Sequence, residues 1–205
     1  MEPIEAVVFD WGGVLIENPA PALMAYCARA LSVSVEDYER SHSAHGRRFQ
    51  TGQITEAAFW ERVCGDLSRP TPPVASLWGQ AFRAVYAPRA EVFALARRLR
   101  SGGIKTALLT NTEPPVMQYW HDQHYRMFDA LVFSCAEGVA KPDPDVYRVV
   151  AQKLDVATER CVLIDDRQDF IDGASVVGMN GILYKDLEQV EDELESLGVQ
   201  AREGR

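Results

Sequence analysis

The sequence lacks long hydrophobic runs and paired cysteines. No apolar stretch approaches the roughly 20 residues that span a bilayer, and the acidic start, residues 1–5, does not resemble a signal peptide. The four cysteines are scattered without a Cys-x-x-Cys pair, which argues against a zinc site or a disulfide framework. Scattered cysteines are typical of a reducing compartment, so we expect a cytoplasmic protein without membrane association.

Basic residues are also in deficit, with 21 lysines and arginines against 30 acidic residues and a formal net charge of −9. This balance argues against nucleic acid or anionic membranes as partners. A small anionic substrate remains compatible with it, because a metal ion and a few local cations can reverse the potential inside one cleft. The 205 residues are 47% hydrophobic and 25% charged, which indicates a globular chain with a buried core and excludes a disordered tail.

Short apolar runs alternate with segments of helical periodicity along most of the chain. The runs are typical of β-strands and lie at residues 4–9, 104–109, 131–133, 161–164 and 182–184. Nearly apolar strands that are separated by amphipathic helices indicate a parallel sheet covered on both faces. We therefore predict a doubly wound, Rossmann-like α/β fold.

One long segment, from about residue 19 to residue 88, interrupts this alternation. It offers several helices and no convincing strand, and Ser34 and Thr55 are suited to cap the N-termini of two of its helices. We therefore predict an inserted set of helices mounted on the sheet directly after its first strand. The predicted boundaries are residues 17–86 for the helical insertion and residues 1–16 and 87–205 for the α/β core domain.

Polar residues follow four of the predicted strands. They are, in chain order, Asp10, then Thr110 and Asn111, then Lys141, then Asp165 and Asp166. Ligands of an open parallel sheet collect at the carboxyl ends of the strands, so we expect these side chains to share one crevice. Three carboxylates in one crevice repel one another unless a cation joins them. Mg²⁺, a hard ion that prefers oxygen ligands, is the cation we expect.

In this order, the four segments resemble the motifs of the haloacid dehalogenase (HAD) superfamily, in its branch with a helical cap inserted after the first motif. Asp10 matches the first motif, Thr110 the second, Lys141 the third, and the Asp165-Asp166 pair the fourth. The first motif, Phe-Asp-Trp-Gly-Gly-Val-Leu at residues 9–15, is similar to that of a bacterial subgroup that includes α-D-glucose-1-phosphate phosphatases.

The resemblance implies a Mg²⁺-dependent phosphoric monoester hydrolase that acts on a small phosphorylated metabolite such as a sugar phosphate. It implies that Asp10 is the nucleophile and forms an aspartyl-phosphate, which water later cleaves. Asp10, Asp166 and the backbone carbonyl of Gly12 would hold the Mg²⁺. Asp165 would bind the ion through water or orient the groups around it.

The resemblance also assigns the groups that would bind the phosphate. The Thr110 hydroxyl and neighbouring backbone N–H groups, at Asn111 among others, would grip phosphate oxygens. Lys141 would add positive charge and keep Asp10 ionised and in place. Positioning and electrostatic stabilisation would then supply most of the rate enhancement, as is usual for phosphoryl transfer.

Gly12 departs from the pattern of the superfamily. Most of its phosphatases carry a second Asp at this position, whose carboxylate protonates the leaving group and later activates water. Gly12 keeps the backbone carbonyl for the metal and loses this acid, and a positioned acid–base group contributes about 10²–10⁴-fold in rate. Glu17, His42 and His45 are the nearest candidates in the sequence to replace it.

A second departure lies at Phe170, where relatives carry a polar amide. Asp169 beside it is the candidate to compensate, or else the loop packs differently. This departure concerns the surroundings of the metal ligands rather than the ligands themselves.

Several other groups have simpler interpretations. The His42-x-x-His45 pair lacks further ligands for zinc, so we expect it on an exposed helix face. Arg47 and Arg48 could meet a phosphosugar, but a solvated helix face is the interpretation we favour. Trp11 suits the mouth of the site and the core about equally well.

Two other functions stay open. A carbon–halogen hydrolase would use Asp10 through an ester intermediate and needs no metal, which leaves the Asp165-Asp166 pair without a purpose. A non-catalytic protein that binds a phosphorylated ligand or a protein partner would explain Gly12 but none of the other motif residues. The sequence does not determine the particular ester or the oligomeric state.

We predict that a phenolic phosphate ester is hydrolysed faster than a simple alkyl phosphate, because the better leaving group needs less help from a proton donor. Gly12→Asp should raise the rate on the alkyl ester and narrow the difference. Phosphate release from both esters by both proteins checks this. Equal rates that the substitution leaves unchanged would contradict it.

Overall fold

The computed structural model describes residues 2–202. Its centre is a five-stranded sheet made of β1 (Ala6–Phe9), β2 (Lys105–Thr110), β3 (Ala130–Phe133), β4 (Cys161–Asp165) and β5 (Asn180–Leu183). The strand order is β3-β2-β1-β4-β5 and every neighbouring pair is parallel. The chain thus winds outward from β1 in both directions, which confirms the predicted doubly wound α/β fold. The strand ends differ from the predicted ones by one or two residues.

Helices surround this sheet. Within residues 2–202 they are α1 (Ala20–Ala30), α2 (Val35–Gln50), α3 (Glu56–Asp66), α4 (Leu77–Val85), α5 (Ala90–Ser101), α6 (Pro114–Asp122), α7 (Ser134–Glu137), α8 (Pro144–Leu154), α9 (Gln168–Ser175) and α10 (Leu187–Ser196). A 3₁₀ turn, Thr158–Arg160, precedes β4. None of these helices combines the length and the apolar character that crossing a bilayer requires.

The central strand is buried on both faces. Successive side chains of a strand point to opposite sides of a sheet. Accordingly, Val7 and Phe9 join one hydrophobic cluster, whereas Ala6 and Val8 join the other. All four side chains are inaccessible to solvent. An uninterrupted apolar run of this kind is therefore explained by two covering layers of helices rather than one.

Four helices, α1 to α4, lie between β1 and α5 and pack against one another. The predicted N-caps are confirmed: the Ser34 hydroxyl accepts the Asp37 N–H at 3.1 Å, and the Thr55 hydroxyl accepts the Ala58 N–H at 3.2 Å. The interior of this bundle is aromatic and includes Phe49, Phe59 and Trp78, whose ring centroids lie 4.7–5.8 Å apart. The proposed division of the chain into core domain and insertion stays a prediction.

The two connections between the insertion and the sheet run side by side. Ile16, on the way out, forms an antiparallel bridge with Pro88, on the way back. The Glu17 N–H donates to the Ala87 carbonyl at 2.9 Å, and the Arg89 side chain pairs with the Glu17 carboxylate at 2.9 Å. This short stem brings the start and the end of the insertion together.

We predict that Gly173→Ala destabilises the fold and Gly65→Ala does not. A Cβ at residue 173 would lie 2.6 Å from the Pro142 carbonyl oxygen and 2.9 Å from the Tyr147 hydroxyl, whereas a Cβ at residue 65 would meet no atom within 4 Å. The expected loss at residue 173 is about 1–3 kcal/mol, and the expected gain at residue 65 is about 0.5–1 kcal/mol. Urea unfolding of both variants measures this, and two variants of equal stability would contradict it.

Candidate functional site

The first two carboxylates of the site come from neighbouring strands in register. Phe9 of β1 pairs with Ile164 of β4, and the Asp10 N–H donates to the Ile164 carbonyl at 3.0 Å. Asp10 and Asp165 therefore stand side by side at the carboxyl edge of the sheet. One carboxylate oxygen from each of Asp10, Asp165 and Asp166 lies within 4.8 Å of the other two. Folding thus brings Asp10 to an adjacent acidic pair that lies more than 150 residues later in the sequence.

A buried lysine joins two of these carboxylates. The Lys141 ammonium lies 2.9 Å from Asp10 Oδ1 and 2.5 Å from Asp165 Oδ2, and the residue is 1% exposed. Burial alone would lower the pKa of Lys141, but the negative charges of Asp10 and Asp165 outweigh burial and raise that pKa above its usual value. Lys141 is therefore a permanent positive charge in the site.

Burial raises the pKa of all three carboxyl groups. For Asp165 the pKa is about 6, because the nearby charge of Asp10 adds to burial while Lys141 opposes both. For Asp166, burial is followed by the charge of Asp165 as the cause of its raised pKa. For Asp10, burial raises the pKa and Lys141 opposes it most. One ammonium does not fully balance three carboxylates, two of them buried and one half-buried, so a further cation would be favoured here.

The residues around the carboxylates fit a hard metal ion. Gly13 has a φ of +92°, and a Cβ at this position would overlap the Asp166 carboxylate. The turn after β1 uses the Trp11 carbonyl and the Gly13 N–H for its hydrogen bonds with Ile16 and not the carbonyl of Gly12. The available donors are all oxygens, which is the set that Mg²⁺ prefers. We therefore find the cluster suited to the predicted ion.

Backbone and lysine donors orient the Asp10 carboxylate. Its Oδ1 accepts the Trp11 N–H at 2.7 Å in addition to the Lys141 ammonium at 2.9 Å. Asp10 is 6% exposed, and its neighbour Trp11 packs edge-on against Trp120 at 4.9 Å between ring centroids. The aspartate is consequently held at one orientation by groups that cannot easily move.

Thr110 and Asn111 follow β2, next to Asp10. Thr110 is buried, and within residues 2–202 its hydroxyl makes no hydrogen bond to another protein group. The Asn111 amide nitrogen donates to the Lys141 carbonyl at 2.9 Å, and its oxygen accepts the Lys141 N–H at 2.8 Å. The Asn111 side chain thus positions Lys141, so a phosphate contact from this residue would come from its backbone N–H.

A cavity of about 230 Å³ begins at this edge of the sheet and extends under the insertion. Trp11, Gly12 and Thr110 line it from the sheet side, and His42 and Trp78 line it from the insertion. Two larger clefts, of about 590 and 790 Å³, are lined only by residues of the insertion and lie away from the carboxylates. The smaller cavity is therefore the one that can place a ligand against Asp10. Trp11 fills both roles considered for it, core packing and lining the mouth.

Two titratable residues of the cavity wall differ from the sequence analysis, which did not name Glu113 and expected His42 on an exposed helix face. Glu113 is buried, its carboxylate accepts the Trp78 indole N–H at 2.9 Å, and burial raises its pKa to about 7. His42 stacks on Trp78, with ring centroids 5.3 Å apart and planes 5° apart, and burial lowers its pKa to about 4. The expected exposed face for His42 is therefore wrong. The position of Glu113, three residues after Thr110, is the only sequence signal that could have indicated it.

The other candidates for the missing acid are engaged elsewhere. Glu17 is exposed and pairs with Arg89, and His45 lies 2.8 Å from Asp66. Neither lines the cavity, so only His42 of the three reaches it. At residue 12 itself, an added Cβ would lie 3.2 Å from Pro19 Cδ, and the proline ring must yield only slightly. An Asp can therefore be tested at this position.

The loop after β4 departs from the sequence expectation. The Phe170 ring lies 4.9 Å from the Lys141 ammonium and 4.1 Å from the Arg167 guanidinium, so an aromatic face covers the lysine. Asp169 forms a salt bridge with Arg167 at 2.7 Å and is exposed. Asp169 therefore does not replace a polar amide beside Lys141, and the Phe170 ring occupies that place in this chain.

Arg47 connects the insertion to the lysine segment. Its guanidinium donates to the carbonyls of Ala140 and Lys141, at 3.2 Å each. Nearby, the Ser134 hydroxyl donates to the Gln50 carbonyl at 2.6 Å. Arg47 is exposed, as expected for a solvated helix face, but its guanidinium also docks the end of this helix on the loops of the sheet edge.

Comparison with known proteins relates the whole arrangement to one family. A family model described as hydrolase, haloacid dehalogenase-like hydrolase, matches residues 4–178. The chain is 26% identical to a sesquiterpene phosphatase of Aspergillus oryzae, over 89% of this chain and 90% of that protein. It is 28% identical to a phosphatase of Mycobacterium tuberculosis, over 95% of both chains. It is also 28% identical to acyl-CoA dehydrogenase family member 10 of Mus musculus, but spans only 19% of that protein and 94% of its own length.

Solved structures share the fold at lower sequence identity. A HAD-like hydrolase from Porphyromonas gingivalis superposes with a TM-score of 0.76 at 21% identity, over 95% of this chain and 97% of that one. The magnesium complex of a HAD family enzyme from Bacteroides thetaiotaomicron superposes with a TM-score of 0.74 at 19% identity, over 90% and 94% of the two chains. These likenesses extend to the sheet and the helices of the insertion together.

We predict that Glu113→Gln becomes relatively more stable as the pH rises from 5 to 8. The ordinary pKa of this carboxyl is 4.5 and its folded pKa is about 7, so the folded protein binds a proton that the unfolded chain has released. The contribution of Glu113 to stability therefore falls as the pH rises across this window, whereas the Gln side chain has no proton to lose.

Thermal unfolding of both proteins between pH 5 and pH 8 measures the effect. Glu61→Gln, at an exposed position of α3, is the matched control and should show the same pH dependence as the unsubstituted protein. A stability difference for Glu113→Gln that does not change with pH would contradict the raised pKa.

Proposed function

The chain belongs to the haloacid dehalogenase-like hydrolase family, and from this membership we propose that it is a Mg²⁺-dependent phosphatase that hydrolyses a small phosphorylated metabolite through an aspartyl-phosphate on Asp10. At the level of the family it is a phosphoric monoester hydrolase, and two of its relatives are named as phosphatases. The observation that carries the proposal is the oriented Asp10, beside a buried ammonium and within a cluster of three carboxylates.

The protein's own residues account for the first half of such a reaction. Asp10 would attack phosphorus, and the bond between phosphorus and the ester oxygen would break as that oxygen leaves with the bonding electron pair and takes a proton from water. The Thr110 hydroxyl and the N–H groups of its loop would bind phosphate oxygens. Lys141 would offset the negative charge that gathers on them, because its ammonium contacts Asp10 at 2.9 Å.

In the second half, water would attack phosphorus and break its bond to the Asp10 oxygen, which releases inorganic phosphate and regenerates the Asp10 carboxylate. The Trp11 N–H and Lys141 hold Asp10 in one orientation, so the aspartyl-phosphate would form and be cleaved at the same position. Asp10, Asp166 and the Gly12 carbonyl would hold the Mg²⁺, which supplies positive charge next to the transferring phosphoryl group. Asp165 would act by holding Lys141, which it contacts at 2.5 Å.

Because residue 12 carries no acid, the departure of the alcohol is the step that the protein assists least. In residues 2–202, the cavity wall offers two titratable side chains, the neutral imidazole of His42 and the carboxyl of Glu113. Neither is equivalent to an aspartate on the loop of the nucleophile. We therefore expect that the loss of this acid lowers the hydrolysis rate least for esters with good leaving groups. The suggestion of a sugar phosphate rests on the form of the first motif alone.

We predict that phosphate release from phenyl phosphate requires both Mg²⁺ and Asp10. EDTA should abolish it and added Mg²⁺ should restore it, because the three carboxylates need a cation between them. Asp10→Asn should lower the rate by on the order of 10⁴-fold or more, since it removes the nucleophile. Asp192→Asn, at an exposed position of α10, is the matched control and should retain full activity.

Other outcomes would distinguish the alternative functions. Chloride release from a 2-chloro acid that is indifferent to EDTA would indicate a carbon–halogen hydrolase and contradict the phosphatase proposal. Thermal stabilisation by phosphate esters without any phosphate release would indicate a binding protein instead.

A further inference from the structure

We propose that the alcohol part of the substrate is a compact hydrophobic group, bound in the 230 Å³ cavity between the insertion and the sheet edge, and not a sugar. This inference rests on the phosphatase function proposed above and names the substrate class of the same site. Three features of the cavity wall support it: its apolar side chains, its small number of polar partners for a ligand, and its lack of cationic side chains among the described residues that line it.

The wall is mainly apolar and is contributed by both parts of the molecule. Its large apolar members are Trp11, Leu23, Met24, Trp78, Phe82 and Val116. Trp11 and Thr110, which border Asp10, also border this cavity, so an ester whose phosphate reached Asp10 would place its alcohol among these side chains. Burying an apolar alcohol there is favourable in proportion to its apolar area.

Several polar groups of the wall are engaged with the protein itself, and of the others the Trp11 indole N–H and His42 Nε2 are buried without a hydrogen-bond partner among the described residues. The Asn111 amide is bonded to the Lys141 backbone, and the Glu113 carboxylate accepts the Trp78 indole. His42 lies flat against the Trp78 ring. A sugar in this cavity would exchange the water around several hydroxyl groups for apolar surface, and hydroxyls buried without partners are costly.

The charge of the wall narrows the class further. In the part of the chain that the structure describes, no lysine or arginine lines the cavity, so a second phosphate or a carboxylate on the substrate would meet no compensating charge. Glu113 would repel such an anion when ionised. The cavity therefore suits an alcohol that carries no further negative charge.

The test compares primary alkyl phosphates, from propyl to octyl, with glycerol 1-phosphate and glucose 6-phosphate. All are esters of primary alcohols, so their leaving groups differ little and the comparison reports on binding of the alcohol. We expect kcat/KM to rise about fourfold with each methylene until the cavity is full. Both hydroxylated esters should fall below propyl phosphate.

A cavity variant ties this preference to the site. Val116→Phe adds a ring to the wall, so the preferred alkyl chain should become shorter while propyl phosphate is still hydrolysed, which shows that the variant is folded. Val176→Phe is the matched control, because Val176 is 69% exposed at the end of α9 and should leave the preferred chain length unchanged.

Three results would overturn the inference while the phosphatase function stands: higher kcat/KM for the hydroxylated esters, no dependence on chain length, or an unchanged preference in Val116→Phe. If no ester releases phosphate, the proposed function has failed, and binding decides the nature of the cavity. Alkylphosphonates, which cannot be hydrolysed, would then be compared by thermal stabilisation. Stabilisation that grows with chain length supports the hydrophobic assignment, and stabilisation that is independent of chain length refutes it.

Discussion

The buried ammonium of Lys141 is the charge on which the site depends. It lies between Asp10 and Asp165, two carboxylates that neighbouring parallel strands bring to one level. Without it, both would be buried negative charges with no partner, a situation that costs about 3–5 kcal/mol when one member of a buried pair is removed. The protein accordingly fixes the lysine from several sides, because the Asn111 amide and the Arg47 guanidinium both donate to its carbonyl. The reactive carboxylate is thus positioned by contacts that extend into the insertion.

The packing of the insertion and the shape of the cavity depend on the same side chains. Trp78 stacks within the aromatic interior of the helices, near Phe59, and also lines the cavity. Its indole N–H reaches across to Glu113 on the sheet side. A change in this aromatic interior therefore alters the wall against which an alcohol would lie. Selectivity and stability cannot be adjusted independently here, because the same rings contribute to both.

Local patterns in the sequence were sufficient for the sheet and for the acidic edge. Apolar runs located every strand, and the rule that ligands gather at the carboxyl ends of strands placed Asp10 beside Asp165. What depends on packing between distant segments could not be read this way. The face of α2 that carries His42 is determined by Trp78, which lies in another helix, and the direction of Arg47 is determined by carbonyls of the lysine loop. Helical periodicity identifies a face but not its neighbour.

The stem at Ile16 and Pro88 has a consequence for how such a molecule can diversify. The chain leaves the sheet at Ile16 and returns at Pro88, and these two residues pair directly with each other. The length of the insertion between them therefore does not affect how far apart the two connections lie. A replacement lid with the same two anchoring points would leave the aspartates and their lysine in register. Related proteins can therefore differ in the substrate that their insertion selects while they keep the same aspartates and lysine at the sheet edge.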